Sequence, residues 1–383
     1  LNTIFMSYIL FDDVARKSLK PFTYIRPVCD IRIGILTIRE KWEKYLGETT
    51  STLTEDYLSN KFPIIFADSM TLINGSVCPT PKLVQAVKNL SVNQVLVCND
   101  NIIAMSKTRE DFISEGDDIE KIEIEEDFIK LNNVWDIYVN NGRAIREDFE
   151  LVTKGKKSQN ISSTNKLINP ENIFIEEGAS IECACLNAKD GPIYIGKNAE
   201  IMEGAVVRGP FALGEHGVLK LNAKIYGGTT IGPYAKVGGE LDSVVIFGYS
   251  NKAHDGFIGH SVIGEWCNIG ADTNASNLKN TYDEVRLYDI EKNTFVPTGQ
   301  VFCGTIFGDY SKCGINVMFN TGTVVGISSN IYGAGYQRNF IPSFAWGGTN
   351  VGLKLYELEK AIEVSERMMQ RRGLVMSEED KKI

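Results

Sequence analysis

Hydrophobic and polar positions follow two different rhythms along this chain. Up to residue 152, short apolar runs alternate with amphipathic stretches. YILF at 8–11, FPIIFA at 62–67 and VNQVLVCND at 92–100 read as strands. Helices are predicted over 35–46, within the segment that ends in KYLG, and over PKLVQAVKNL at 81–90. Alternation of strand and helix predicts an α/β layer with a mostly parallel sheet. The acidic stretch TREDFISEGDDIEKIEIEED at 108–127 reads as a solvated edge. Residues 153–170 begin with the polar run TKGKKSQNISSTNK, lack periodicity and read as a linker, closing a first domain at 1–152.

Beyond the linker the period becomes six. Ile195, Ile201, Val207, Leu213, Leu219, Ile225, Ile231 and Val237 fall at one phase, several followed by Gly. The phase returns at Val301, Phe307, Cys313, Phe319 and Val325. Ile258-Gly259, Ile263-Gly264 and Ile269-Gly270 lie between, with one register slip. A six-residue repeat is neither helical nor a simple strand alternation; it is the signature of a hexapeptide parallel β-helix, three short strands and about 18 residues per coil. Each apolar residue stacks inside on its copy in the next coil. The β-helix is placed at 171–348, interrupted by an inserted loop at 277–299. Residues 349–383 read as a C-terminal helix, LKLYELEKAIEVSERMMQRRG, with a frayed tail.

The chain has 383 residues and a net charge of −9, which speaks against nucleic acid as a partner. No run approaches the about 18 apolar residues of a membrane span. The N-terminal LNTIFMSYILFDD has no basic region before its apolar run, so it reads as a buried strand rather than a secretory signal. Eight scattered Cys without a Cys-x-x-Cys step read as reduced thiols of a cytoplasmic protein. There are three His: His216, His254 and His260. Three zinc ligands would have to converge on one ion. His254 and His260 are six apart, on neighbouring faces of the coil, and His216 sits at another phase, so a zinc hydratase is disfavoured.

Residues 250–280 carry a specific resemblance. Lys252, Ala253, His254, Phe257, Gly259, Asn268, Ile269, Gly270, Ala271, Thr273 and Asn277 resemble the acetyltransferase domain of the bifunctional N-acetylglucosamine-1-phosphate uridylyltransferase / glucosamine-1-phosphate N-acetyltransferase family. CGTIFGDYSKCGINVMFNTGTVVG at 303–326 resembles its archaeal branch. The likeness covers about residues 170–345. FDDVARKSLKPFTYIRPVCDIRIGILTIREKWEKYLG at 11–47 resembles a Bacteroidetes branch labelled sugar nucleotidyltransferase. The implied fold is an α/β nucleotidyltransferase-like domain followed by a left-handed parallel β-helix.

The resemblance implies acetyl transfer from acetyl-CoA to an amino-sugar 1-phosphate. The attacking amine must lose a proton, and His suits that role near pH 7. The family gives it to the residue matching His254, and gives the oxyanion-holding N–H to the one matching Ala271. Asn268 and Asn277 would bond the sugar or orient the base. Lys224, Lys236, Lys252 and Arg286 are candidate partners of the sugar phosphate, and Arg338 of the CoA 3′-phosphate. Phe257 stands where the family has Tyr, and Asp242 where it has a second phosphate-binding Lys. A CoA groove between neighbouring β-helices implies a homotrimer.

The first half departs further. The Gly-rich loop expected after the first strand is missing, and Phe22 stands where Lys is expected. Gly75 is followed by Ser76 where a metal-binding Asp is expected. Asp12, Asp13 and Asp100 remain as candidate Mg²⁺ ligands, and Arg16, Lys17, Lys20, Arg26 and Arg32 as cations for the phosphates of UTP. Three readings stay open for this half: a divergent uridylyltransferase making UDP-N-acetylglucosamine, a nucleotide-binding domain without turnover, or a structural domain. For the whole chain the alternatives are another sugar-1-phosphate nucleotidyltransferase, thymidylyl or guanylyl, with a structural β-helix, or a non-catalytic sugar-nucleotide-binding scaffold.

Overall fold

The computed structural model describes residues 6–114 and 119–383. The first five residues of the predicted opening strand, and 115–118 of the acidic stretch, lie outside the described residues.

The first domain is built on a six-stranded sheet. Strand Met6–Phe11 lies between Thr50–Leu53 and Ser69–Asn74, parallel to both. Asn101–Thr108 runs antiparallel to Ser69–Asn74 and to Gln94–Cys98, and Glu120–Ile124 closes the edge parallel to the latter. Among the described residues five of the six strands run the same way, as the mostly parallel expectation has it, and Asn101–Thr108 alone is reversed. The two-residue turn between Cys98 and Asn101 forces the chain straight back, which a parallel crossover cannot do. Helix Ile38–Leu46 begins three residues later than predicted, because Arg32–Ile33 and Leu36–Thr37 first form a small hairpin. A Thr37–Glu40 capping box starts the helix and Gly47 at φ 79° ends it. FPIIFA is not a strand; Ile65 and Phe66 are exposed in a loop. The strand of that region is Ser69–Asn74.

From Lys166 the chain winds into a parallel β-helix with three faces. Face one stacks Ile173–Ile175, Ile193–Ile195, Phe211–Leu213 and Thr229–Ile231. It continues to Thr305–Phe307 and Thr323–Val325. Face two stacks Cys185–Asn187, Val206–Arg208 and Lys224–Ile225, then the first halves of Glu240–Ile246 and Phe257–Ile263. Face three stacks Ser180–Ile181, Glu200–Ile201, Val218–Leu219, Lys236–Val237 and Asn251–Lys252. The hexad residues fill its interior. Val301 is an exception: it is exposed on the segment that returns from the insertion, before the coil strand resumes at Thr305.

At one corner, non-glycine residues occupy left-handed backbone conformations coil after coil, from His216 through Tyr234, Tyr249 and Trp266 to Tyr310. Their rings stack with centroids 4.8, 5.1, 4.3 and 6.5 Å apart. A left-handed residue costs about 1–3 kcal/mol and a ring pair returns about 0.5–1.5 kcal/mol, so the ladder offsets much of the strain. His216 is its first rung.

The middle of face one is shielded from solvent. Val245, Val262, Ile306 and Val324 point outward into a core shared with the first domain. Thr230 Oγ1 donates to the Gly34 carbonyl at 2.9 Å, and Phe22 packs on Phe247 at 5.2 Å between ring centroids. The segment read as a linker caps the first coil: the Gln159 N–H donates to the Ile175 carbonyl at 2.7 Å. The insertion forms a hairpin, Arg286–Asp289 with Thr294–Pro297, whose Glu291 pairs with Lys20 at 2.8 Å. Helix Leu358–Gln370 returns along the β-helix. The tail is not frayed: Glu378–Lys382 is helical behind a Ser377–Asp380 capping box, and Asp380 pairs with Lys61 of the first domain. Among the described residues, no helix is long and apolar enough to cross a membrane.

Candidate functional sites

His254 sits on the turn 253–256, between face-three strand Asn251–Lys252 and the strand that begins at Phe257. Its ring is exposed. Gly256 closes the turn at φ 114°, and a Cβ there would lie 2.2 Å from the Thr273 carbonyl oxygen, so only Gly fits. The next coil places its own turn over this one, with the Asp272 N–H donating to the Asp255 carbonyl at 3.0 Å. Ala271 therefore lies over His254. Its carbonyl accepts from the Asn316 N–H at 2.8 Å, while among the described residues its own N–H makes no hydrogen bond. An imidazole beside a free, fixed amide is an arrangement that can move a proton and steady an oxyanion.

On the face-three side, Lys236, Asn251, Ala253 and Asn268 line a groove of 380 Å³ together with Met368, Arg371 and Arg372 of the C-terminal segment. Arg372 donates to Asn251 Oδ1 at 3.3 Å. Lys236 and Asn268, both sequence candidates, are thus brought together near the His254 turn. Arg371 and Arg372 escaped the sequence reading; the basic pair in MMQRRG after an amphipathic helix was their one signal.

Other candidates are placed elsewhere. Lys252 is corrected: its side chain points into the β-helix core, 1% exposed, and cannot meet a phosphate. Asn277 does not reach the base. Its Nδ2 donates to His260 Nδ1 at 2.9 Å, at the far end of the Phe257–Gly259 stretch. Burial holds His260 below the usual imidazole range against the pull of Asp242, which keeps Nδ1 an acceptor. Phe257 is half-buried, and its N–H donates to Asn274 Oδ1 at 2.8 Å, a polar residue of the same face that the sequence reading passed over. Lys224 is exposed and 3.6 Å from Glu240. Arg286 lies on the hairpin and donates to the Phe295 carbonyl at 2.5 Å. Arg338 is exposed, with no ion pair among the described residues.

In the first domain most candidate cations already have partners. Arg16 is buried, donating to Asp12 at 2.7 Å, the Thr23 carbonyl at 2.5 Å and Tyr57 at 3.0 Å. Arg26 is buried between the domains, held by both oxygens of Asp309 at 2.8 and 3.0 Å and by Glu265 at 3.2 Å. These two are corrected from nucleotide ligands to structural ties. Arg32 donates to the Ile35 carbonyl at 2.5 Å, within its hairpin. Lys17 is exposed at 3.5 Å from Glu291, which Lys20 also binds. Asp100 is exposed in the turn after Cys98.

The acidic pair does not fit Mg²⁺ as it stands. Asp12 accepts from the Val28 N–H at 2.7 Å, Arg16 at 2.7 Å and Thr54 at 2.5 Å. Asp13 accepts from Lys130 at 2.8 Å, Asn74 at 3.0 Å, Ser76 at 3.2 Å and the Ala15 N–H at 3.0 Å. Burial pushes Asp13 up, but its donors, Lys130 foremost, bring it below the usual carboxylate range. Among the described residues no group of three His, Cys, Asp or Glu could hold a metal ion. Asp13, Lys130, Asn74 and Ser76 nevertheless gather at the carboxyl ends of Met6–Phe11 and Ser69–Asn74, where open α/β sheets bind ligands. Lys130 and Asn74 were not foreseen; the Asn-Gly-Ser step pointed to the place.

Residues 8–157 match the family model for sugar nucleotidyl transferases. The curated bifunctional sugar-1-phosphate nucleotidylyltransferase/acetyltransferase of Sulfurisphaera tokodaii is 28% identical over 179 residues. That alignment takes in 46% of this chain and 43% of the relative, so the chain spans less than half of that protein's length. Among solved structures, the polySia-specific acetyltransferase NeuO aligns with 55% of this chain and 99% of its own, at 15% identity and a TM-score of 0.28. A UDP-N-acetylglucosamine acyltransferase aligns with 54% and 76%, at 14% identity and 0.26. The chain therefore joins a domain matched by a sugar nucleotidyltransferase family to a parallel β-helix.

Proposed function

We propose that this chain acetylates the amino group of glucosamine 1-phosphate from acetyl-CoA and then transfers uridylyl from UTP to the N-acetylglucosamine 1-phosphate formed, giving UDP-N-acetylglucosamine. The observation that carries this reading is the exposed His254 beneath the free Ala271 amide, beside a groove lined by three cations. His254 takes a proton from the amine as its nitrogen attacks the thioester carbonyl. The Ala271 N–H steadies the oxyanion. The C–S bond breaks, and His254 returns the proton to the leaving CoA thiolate. Lys236, Arg371 and Arg372 face the phosphate groups of the two substrates, and Arg338 is the candidate for the CoA 3′-phosphate. The sugar spans Phe257 and Asn268. The chain works as a homotrimer in the cytoplasm.

Uridylyl transfer rests on the family match over 8–157. Its phosphates would lie at the strand ends beside Lys130. The engagement of Arg16, Arg26 and Asp12 favours a second reading, in which this domain binds a nucleotide sugar without turnover.

A two-stage assay tests both. Glucosamine 1-phosphate with acetyl-CoA is followed by release of free CoA thiol. N-acetylglucosamine 1-phosphate with UTP and Mg²⁺ is followed by pyrophosphate. Both products support the full proposal. Thiol alone supports the second reading. Pyrophosphate alone returns His254 to a structural role and the β-helix to assembly.

A further inference from the structure

Face three keeps one interior stack through the coils: Ile181, Ile201, Leu219, Val237, Lys252, Ile269, Cys313 and Ile331. A single member is charged, and it belongs to the coil that bears His254. Burying an ammonium among aliphatic side chains is costly unless it is held by acceptors. Lys252 Nζ donates to the His254 carbonyl at 2.6 Å and to the Asp255 carbonyl at 2.8 Å. Both acceptors belong to the turn that presents the imidazole. The coil before leaves room for the head group: a Cβ on Gly239 would lie 3.0 Å from Nζ. Any side chain there would press on the ammonium.

We propose that Lys252 is a positioning residue, an internal clamp that fixes the His254 turn against the Ala271 amide. This deepens the acetyl-transfer reading and rests on it. Among the described residues the His254 carbonyl, on a turn closed by a glycine at φ 114°, takes no backbone N–H from a neighbouring coil, and the ammonium supplies its donor from inside; the Asp255 carbonyl accepts it as well as the Asp272 N–H. The titratable groups facing it are Asp255 on its own turn, Asp272 on the next coil and the Cys313 thiol in the core; Gly238 and Gly239 on the coil before carry none. Burial pushes Lys252 down to about 8 against the opposing pull of Asp255, Cys313 and Asp272. The clamp is charged at neutral pH and is released in mild alkali.

The test is Lys252→Met in the full chain, an aliphatic replacement of similar length. Burial depresses the folded-state value, so the unfolded chain holds this proton more tightly; removing the charge should leave the melting temperature no lower. Amide exchange of a peptide spanning 250–258, read by mass spectrometry, is expected to rise at least tenfold while other coils are unchanged. In the thiol-release assay kcat is expected to fall at least tenfold, with KM for acetyl-CoA and for glucosamine 1-phosphate within twofold. The parent's kcat should decline above about pH 8, and that limb should vanish in the variant. Lys252→Gln, which keeps one donor, should fall between the two and decides the matter if the Met variant does not fold. Unchanged exchange at 250–258, or kcat within twofold of the parent, overturns the proposal. A parent that releases no thiol sinks the acetyl-transfer reading, while exchange still decides whether the clamp exists.

Discussion

Arg26 and Asp309 hold the two domains together through a buried ion pair, and cutting it should be expensive. Asp309 is fully buried and Arg26 nearly so, and the guanidinium also lies 5.3 Å from the Phe247 ring centroid. Arg26→Met keeps the apolar stem but leaves the Asp309 carboxylate without its cation. Removing one partner of such a pair costs about 3–5 kcal/mol, more than the pair is worth against an apolar replacement. A chain of this length melting as one unit has an unfolding entropy of about 0.8 kcal/mol/K, so the melting temperature should drop by roughly 4–6 °C. Adding Asp309→Asn should recover at least half of the loss. The amide oxygen can still accept the Glu265 N–H, which Asp309 Oδ1 accepts at 2.7 Å, without stranding a charge. Urea and thermal melts of parent, single and double variants give the numbers. UTP should raise the melting temperature of the Arg26→Met chain as much as that of the parent. A single variant within about 1 kcal/mol of the parent, or a double variant worse than the single, would refute the buried-pair argument. Loss of the UTP response alone would restore Arg26 as a nucleotide ligand.

Three further outcomes are expected. His254→Ala should abolish thiol release with the melting temperature within about 1 °C of the parent, because an exposed turn residue carries little packing; retained acetyl transfer would remove His254 from the chemistry. Arg371→Ala with Arg372→Ala should raise KM for a phosphate-bearing substrate at least tenfold with kcat within threefold, and comparing acetyl-CoA with glucosamine 1-phosphate identifies which phosphate the groove serves. Asp13 is held below its ordinary value, so it contributes stability above about pH 4 that is lost as pH falls through the depressed value; Asp13→Asn should lower stability at pH 7 and flatten that acid limb, and an unchanged limb would show that Lys130 does not hold it.

The interior of the β-helix was legible because stacking demands it. Each coil must put an aliphatic residue on the last one, so the pattern is written every six residues. Where the coils change length, the writing becomes hard to follow. Val218 pairs with Lys236 eighteen residues on, but Lys236 pairs with Asn251 only fifteen on. Counting by six from Val237 therefore misses position 252, and a lysine there reads as surface although the register turns it inward. A second pattern was present and went unread. The outward middle residues of face one are Val245, Val262, Ile306 and Val324, where a solvent-facing coil would carry polar groups. That run of valine and isoleucine announces a covered face, and hence that the first domain docks there. Docking in turn explains why Arg26, in a stretch so dense in cations, points to Asp309 on the β-helix and not to a ligand. Charge density in a sequence cannot tell a phosphate from a carboxylate carried 283 residues away. Only the fold brings the carboxylate to it. The groove near His254 has the same origin: Lys236 and Arg371 share it because the last helix returns along the β-helix, a path no local pattern specifies. His254 and Ala271 could be proposed from the sequence because successive coils stack their turns at a fixed offset, whereas Arg26 was misassigned because its partner lies on a distant segment and Lys252 because a buried charge serves the backbone.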